Sequence, residues 1–166
     1  QHLLDCGHMN IAGIFKGDDG QGHQRYAGYV DALMEADIKV KGKQVIWIDS
    51  DEIEEMRDDC GRVLKRIKGC TACVCYNDEV ANKMVGICMD QGIRIPEDLS
   101  IIGIDDSDLS RFCEIPFTSA RNPVRELGRI AAEMMIGRIR GFTEIETVEL
   151  EPELIMRSSV KVINHI

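Results

Sequence analysis

The sequence has no apolar run approaching the roughly 20 residues that cross a bilayer, so no membrane-spanning helix is predicted. It also opens without the charged-then-apolar pattern of a secretory leader. Basic residues are the minority: 20 Lys and Arg stand against 29 Asp and Glu, for a formal net charge of −9. Phosphate backbones require a basic surface, so this segment is not expected to hold nucleic acid by itself. Internal repeats and low-complexity linkers are absent. The seven cysteines are odd in number and spread from Cys6 to Cys113, which argues against a disulfide framework and for reduced thiols in a cytoplasmic setting.

Signals for catalysis are equally sparse. The glycine-rich loop Gly17-Asp18-Asp19-Gly20-Gln21-Gly22 lacks the G-x-G-x-x-G order and carries two carboxylates that would repel a phosphate. None of His2, His8, His23 and His165 stands near a Ser or Cys as the base of a nucleophile would. Asp49-x-Asp51 and Asp105-Asp106, with Asp108, could hold magnesium at strand ends, so a metal-dependent phosphatase-like α/β enzyme is one alternative. The same carboxylates serve equally well as helix caps and loop acceptors. Cys73 and Cys75 alternate within an apolar run, which suits one face of a buried strand better than a metal or redox pair. No cofactor and no metal are expected, and the chain is not expected to be an enzyme.

What is present is an alternation of strand, polar loop and amphipathic helix. Strands are predicted over residues 9–15, 45–48, 71–76 and 99–104. Helices are predicted over residues 22–36, from the Asp49-Ser50-Asp51 cap to about residue 68, and from the Asn77-Asp78 cap to 91, ended by Gly92. Pro116 to Ser119 reads as a short extended crossing, residues 124–139 as a strong helix, and residues 147–150 and 154–156 as closing β-rich runs. This pattern predicts an α/β fold, a doubly wound parallel sheet in a three-layer α-β-α arrangement. All four early strands end in polar residues, and ligands in such sheets lie outside the carboxyl ends. The run 99–104 ending on Asp105 and Asp106 therefore marks a binding edge.

Ordered motifs then carry a resemblance. Gly7-His8 with Ile11, the helix Arg25-Tyr26-Ala27-Gly28-Tyr29-Val30-Asp31-Ala32-Leu33, Thr71-Ala72 with Asn77-Asp78 and Ala81, and G-I-R-I-P-E-D-L-S-I-I-G-I-D-D from Gly92 all belong to it. Pro116 to Ser119, Leu127-Gly128 with Ala131, and Leu154 to Ser158 complete the series, so the motifs span almost the whole chain. Together they resemble the effector-binding domain of LacI/GalR transcriptional repressors, which shares its fold with periplasmic sugar-binding proteins. The loop from Phe15 to Gly22 is most similar to the arabinose-repressor branch. Ser119 and Asn122 depart from the commoner residues at the crossover, and Asp18-Asp19 is an extra acidic pair of that branch.

The resemblance implies a fragment of a type I periplasmic-binding-protein-like domain. Residues 9–116 would form the C-terminal lobe, 117–141 a crossover and a helix belonging to a missing N-terminal lobe, and 142–160 the return strands. A DNA-binding head and the N-terminal lobe would lie outside the chain, and DNA would be bound only through that head. The function implied is sensing of a small sugar, L-arabinose by the branch, as an allosteric effector of a cytoplasmic repressor; a periplasmic or ABC-type sugar-binding protein is the competing class. By the same resemblance Arg25, Asp105 and Asn77 would hold sugar hydroxyls, with Lys16, Asp18, Ser50 and Asp106 on the rim. A homodimer would form through the C-terminal lobe, on residues 78–91 and 108–112. The apolar stripe of helix 124–139, deprived of its lobe, is expected to pack between molecules.

Overall fold

The computed structural model describes residues 1–142 and 147–163. His165 and residues 143–146 lie outside the described residues. Six strands form one sheet in the order β2-β1-β3-β4-β5-β6: β1 (Ile11–Lys16), β2 (Val45–Ile48), β3 (Ala72–Cys75), β4 (Ser100–Ile104), β5 (Thr118–Arg121) and β6 (Glu153–Ile155). The first five are parallel and β6 runs antiparallel to β5. The predicted α/β doubly wound sheet is therefore present.

Alternation along the strands decides which residues meet which layer. Ala12 and Ile14 of β1, with Cys73 and Cys75 of β3, face α3 (Glu52–Glu55), α4 (Gly61–Ile67) and α5 (Asp78–Asp90), where Met84, Val85 and Ile87 complete the larger core. Ile11 and Phe15 face the other way, onto α1 (His2–Asp5) and α2 (Gly20–Glu35), where Tyr29 and Leu33 pack. Cys73 and Cys75 are thus fillers of one strand face, with sulfurs 4.0 Å apart and no disulfide.

Four sequence expectations change. The helix predicted from the Asp49–Asp51 cap to residue 68 is interrupted: α3 and α4 are separated by turns over residues 56–60. Asp58 and Asp59 are poor interior helix residues and Gly61 costs helix entropy, so one continuous helix is not sustained. Asp51 also makes no side-chain cap; Glu52 Oε2 instead accepts from the Asp49 N–H at 2.8 Å. The supposed crossing at Pro116–Ser119 leads into a full sheet strand, β5, in register with β4. Residues 147–150 form no strand, and only Glu153–Ile155 of the closing runs pairs.

α6 (Asp108–Phe112) and α7 (Val124–Ile139) complete the elements. None of the residues of α7 is buried. Val124, Leu127, Met135, Ile136 and Ile139 present an apolar face to solvent, the stripe read from the sequence.

Candidate functional site

Strand order 2-1-3-4-5 places the reversal of winding between β1 and β3, the position outside whose carboxyl ends sheets of this kind hold ligands. Lys16 closes β1 there, Tyr76 and Asn77 follow β3, and Asp105 follows β4. Asp19 starts α2 by accepting from the Gly22 N–H at 2.6 Å. The chain comes so close at that corner that a Cβ on Gly22 would stand 2.0 Å from the Lys16 carbonyl oxygen. Glycine is what lets the helix begin directly above the end of β1.

Two polar clusters meet at this edge. In the first, Asp19 Oδ2 accepts from the Tyr76 hydroxyl at 2.6 Å and pairs with Lys16 Nζ at 3.2 Å. The Tyr76 hydrogen bond and the Gly22 amide hold the Asp19 carboxyl down at about 2, well into the ionised range. Asp18 Oδ2 accepts from both Ser50 Oγ (2.6 Å) and Ser50 N (2.9 Å), which lowers its pKa and ties the loop after β1 to the loop after β2. In the second cluster, Arg25 lies over the Tyr76 ring at 4.6 Å, donates to the Tyr76 carbonyl, and reaches Asp105 Oδ1 at 3.3 Å. Asn122 Nδ2 donates to the same Asp105 oxygen at 2.7 Å.

Asp105 and Asp106 have φ of 114° and 51°, the left-handed region that non-glycine residues adopt at a cost. The turn sends the two carboxylates to different places. Asp105 stays half-open at this edge; burial pushes its pKa up, and Arg25 opposes the shift. The Asp106 side chain is 1% exposed and accepts from Arg121 Nε (2.7 Å), Arg111 Nη2 (3.0 Å) and Arg157 Nη2. Burial alone would raise it, but the bonds from Arg157, Arg121 and Arg111 outweigh that and hold it far below the usual carboxylate range. Asp106 therefore braces the turn rather than lining the rim where the sequence reading put it. Buried Asp78 supports the same turn, accepting from Ser107 N (2.6 Å) and from Ser119 Oγ (2.5 Å).

Of the seven residues singled out in the sequence, Arg25, Asp105, Lys16, Asp18 and Ser50 come to this edge. Asn77 is there as well, with its Oδ1 used as the α5 cap on Val80 N at 3.0 Å. Asp19 and Asn122 were not assigned contacts, and neither was the Tyr76 hydroxyl. The three arginines on Asp106 carry no local signal in the sequence except Arg157, which lies within the Leu154–Ser158 motif. Among the described residues no three His, Cys, Asp or Glu side chains converge as metal ligands. The edge offers alternating N–H donors and carboxylate acceptors, an array that suits a small neutral polyhydroxyl ligand.

Fold and edge together define an α/β ligand-binding type of domain. A family model described as a periplasmic binding protein-like domain matches residues 1–160, and the chain belongs to that family. The arabinose metabolism transcriptional repressor of Geobacillus stearothermophilus is 36% identical over 96% of this chain, which spans 45% of that protein. A transcriptional regulator solved as a CelR–cellobiose complex superimposes with a TM-score of 0.86 at 29% identity, covering 95% of this chain and 49% of that one. A LacI-family regulatory protein from Chloroflexus aggregans gives a TM-score of 0.84 at 27% identity, over 96% and 58% of the two chains. The chain thus spans about half the length of these relatives.

Proposed function

We propose that this chain is the effector-sensing lobe of a sugar-responsive transcriptional repressor, and that L-arabinose is the effector. The observation that carries this reading is the Arg25–Asp105 pair at the β1/β3 edge, flanked by Lys16, Asp18 and Ser50, all on the carboxyl side of the sheet. A guanidinium offers paired donors and a carboxylate paired acceptors, so neighbouring hydroxyls are matched in both directions. Asn77 contributes its amide nitrogen, its oxygen being committed to the helix cap. Asp106 holds Asp105 in place without touching ligand. The similarity to arabinose repressors and to a cellobiose-bound regulator supports a sugar.

In the longer protein a second lobe closes over the sugar. The ligand shifts the open–closed balance only by the difference of its affinities for the two states, and that shift is what a DNA-binding head reads out. The C-terminal lobe pairs with a second copy through α5 and α6, where Met89, Leu109 and the 81%-exposed Phe112 are apolar and uncovered. Calorimetry of the two-lobed protein against L-arabinose, other pentoses and hexoses tests the reading. Heat with arabinose that vanishes in Arg25→Gln and Asp105→Asn supports it; a folded protein giving no heat with any sugar refutes it. Phosphatase turnover on adding magnesium would favour the enzyme alternative instead.

A further inference from the structure

β2 forms one free edge of the sheet, and its outward carbonyls are already occupied. Arg62 Nη2 donates to the Trp47 carbonyl (2.6 Å), and Arg66 Nη1 donates to those of Val45 (3.1 Å) and Gly42 (3.0 Å). These bonds close the edge to strand addition and fix both guanidinium groups along it. Each guanidinium has five N–H donors, so the described contacts leave donors to spare.

Two hollows share those arginines. One, of about 290 Å³, is walled by Tyr26 and Trp47 as well as Arg62 and Arg66. The other, of about 590 Å³, is lined by cations alone: Lys43, Arg62, Lys65, Arg66 and Lys68. Five positive side chains around one hollow run against a chain whose net charge is −9. Internal pairing does not account for them, because among the described residues only Arg62 of the five has an ion pair, with Glu52 at 3.0 Å. The C-terminal dipole of α4 would suit Lys65 and Arg66, but Lys43 comes from a separate 3-10 turn, Gly42–Gln44. Beside the cations, Trp47 is 37% exposed, with the Tyr26 and His23 rings at 5.1 Å and Phe15 at 6.0 Å. Two fixed guanidinium groups and three exposed lysines beside a partly exposed indole match phosphates joined to an aromatic base.

We propose that this edge binds a nucleoside polyphosphate, with the phosphates among Lys43, Lys65, Lys68 and the two arginines and the base against Trp47 and Tyr26. Neither hollow is lined by Lys16, Asp18, Arg25, Ser50 or Asp105, the residues of the effector edge. A nucleotide there would bind without competing for the sugar, as a second input to the same lobe. This inference does not depend on the sugar reading.

Trp47 is the only tryptophan, so its emission reports this edge alone. The 166-residue chain is titrated with ATP at low salt, by fluorescence and by calorimetry, with adenosine, tripolyphosphate and duplex DNA as the other arms. The expected result is saturable quenching by ATP, displaced by tripolyphosphate, weakened by added salt, and weakened about tenfold or more in the doubly substituted K65Q/K68Q protein. Both lysines are exposed, so circular dichroism should show an unchanged fold. No saturable response up to about 5 mM, the weak end of specific binding, overturns the proposal. Adenosine or tripolyphosphate binding as tightly as ATP, an unaffected K65Q/K68Q protein, or a preference for duplex DNA would each overturn it as well.

Discussion

Replacing Asp106 with Asn tests whether the turn after β4 is held electrostatically. The carboxylate is 1% exposed and is the meeting point of three guanidinium groups, so the Asp106→Asn change would keep the side chain's shape and remove its charge. Two of the partners can escape: Arg111 and Arg121 are 46% and 41% exposed, and Arg121 also has Glu153 at 2.8 Å. Arg157 is 13% exposed and additionally donates to the Phe117 carbonyl at 2.9 Å, so it is left with an uncompensated charge beside the β4–β5 junction. Breaking a buried pair in this way costs about 3–5 kcal/mol, and the two solvent-exposed arginines bring the expectation to the lower end, about 3 kcal/mol. For a domain of this size that is a fall in Tm of roughly 6–12 °C. Because the folded-state pKa of Asp106 is depressed, its stabilisation is complete above the unfolded value near 4 and fades as pH falls through the folded one. The gap between wild type and Asp106→Asn in urea unfolding should therefore be constant at neutral pH and shrink in acid. A loss under about 1 kcal/mol at pH 7, comparable to an exposed ion pair, would refute the bracing role.

Other consequences follow from single contacts. His8 is fully buried between Thr71 Oγ1 (2.9 Å) and the Lys161 carbonyl (3.0 Å), and burial lowers its pKa from 6.5. Below 6.5 the unfolded chain binds the extra proton first, so stability should fall as pH drops through that window and recover above it; His8→Gln should flatten this part of the urea profile, and an unchanged profile would count against it. Gly22→Ala should destabilise by about 1–3 kcal/mol because its Cβ would meet the Lys16 carbonyl, whereas Gly28→Ala, with open space around it, should stabilise by about 0.5–1 kcal/mol. Equal effects in thermal melts would dismiss the close approach. Light scattering should show self-association weakened by Phe112→Glu on α6 and, separately, by Ile139→Glu on α7; a monodisperse wild-type monomer would contradict both surfaces.

Local pattern was enough for the repeating strand–helix units, the Asn77 cap, the Gly92 helix end and the exposed stripe of α7, because each depends on neighbours in sequence. It also marked the carboxyl ends of the strands, Asp105 and Asp106 among them, as the polar edge, whereas Arg25 entered only through the family resemblance. It failed where distant segments compete for the same atoms. The break between α3 and α4 and the promotion of residues 118–121 to a sheet strand depend on pairing that no short window contains. The same holds for the adjacent aspartates. In sequence Asp105 and Asp106 are alike, and only the left-handed turn separates them, sending one to the polar edge with Arg25 and Asn122 and the other to Arg111, Arg121 and Arg157. Residue type and period determined that this chain would present carboxylates at a sheet edge; which of them remains open to a ligand was decided by arginines brought in from as far as 51 residues away.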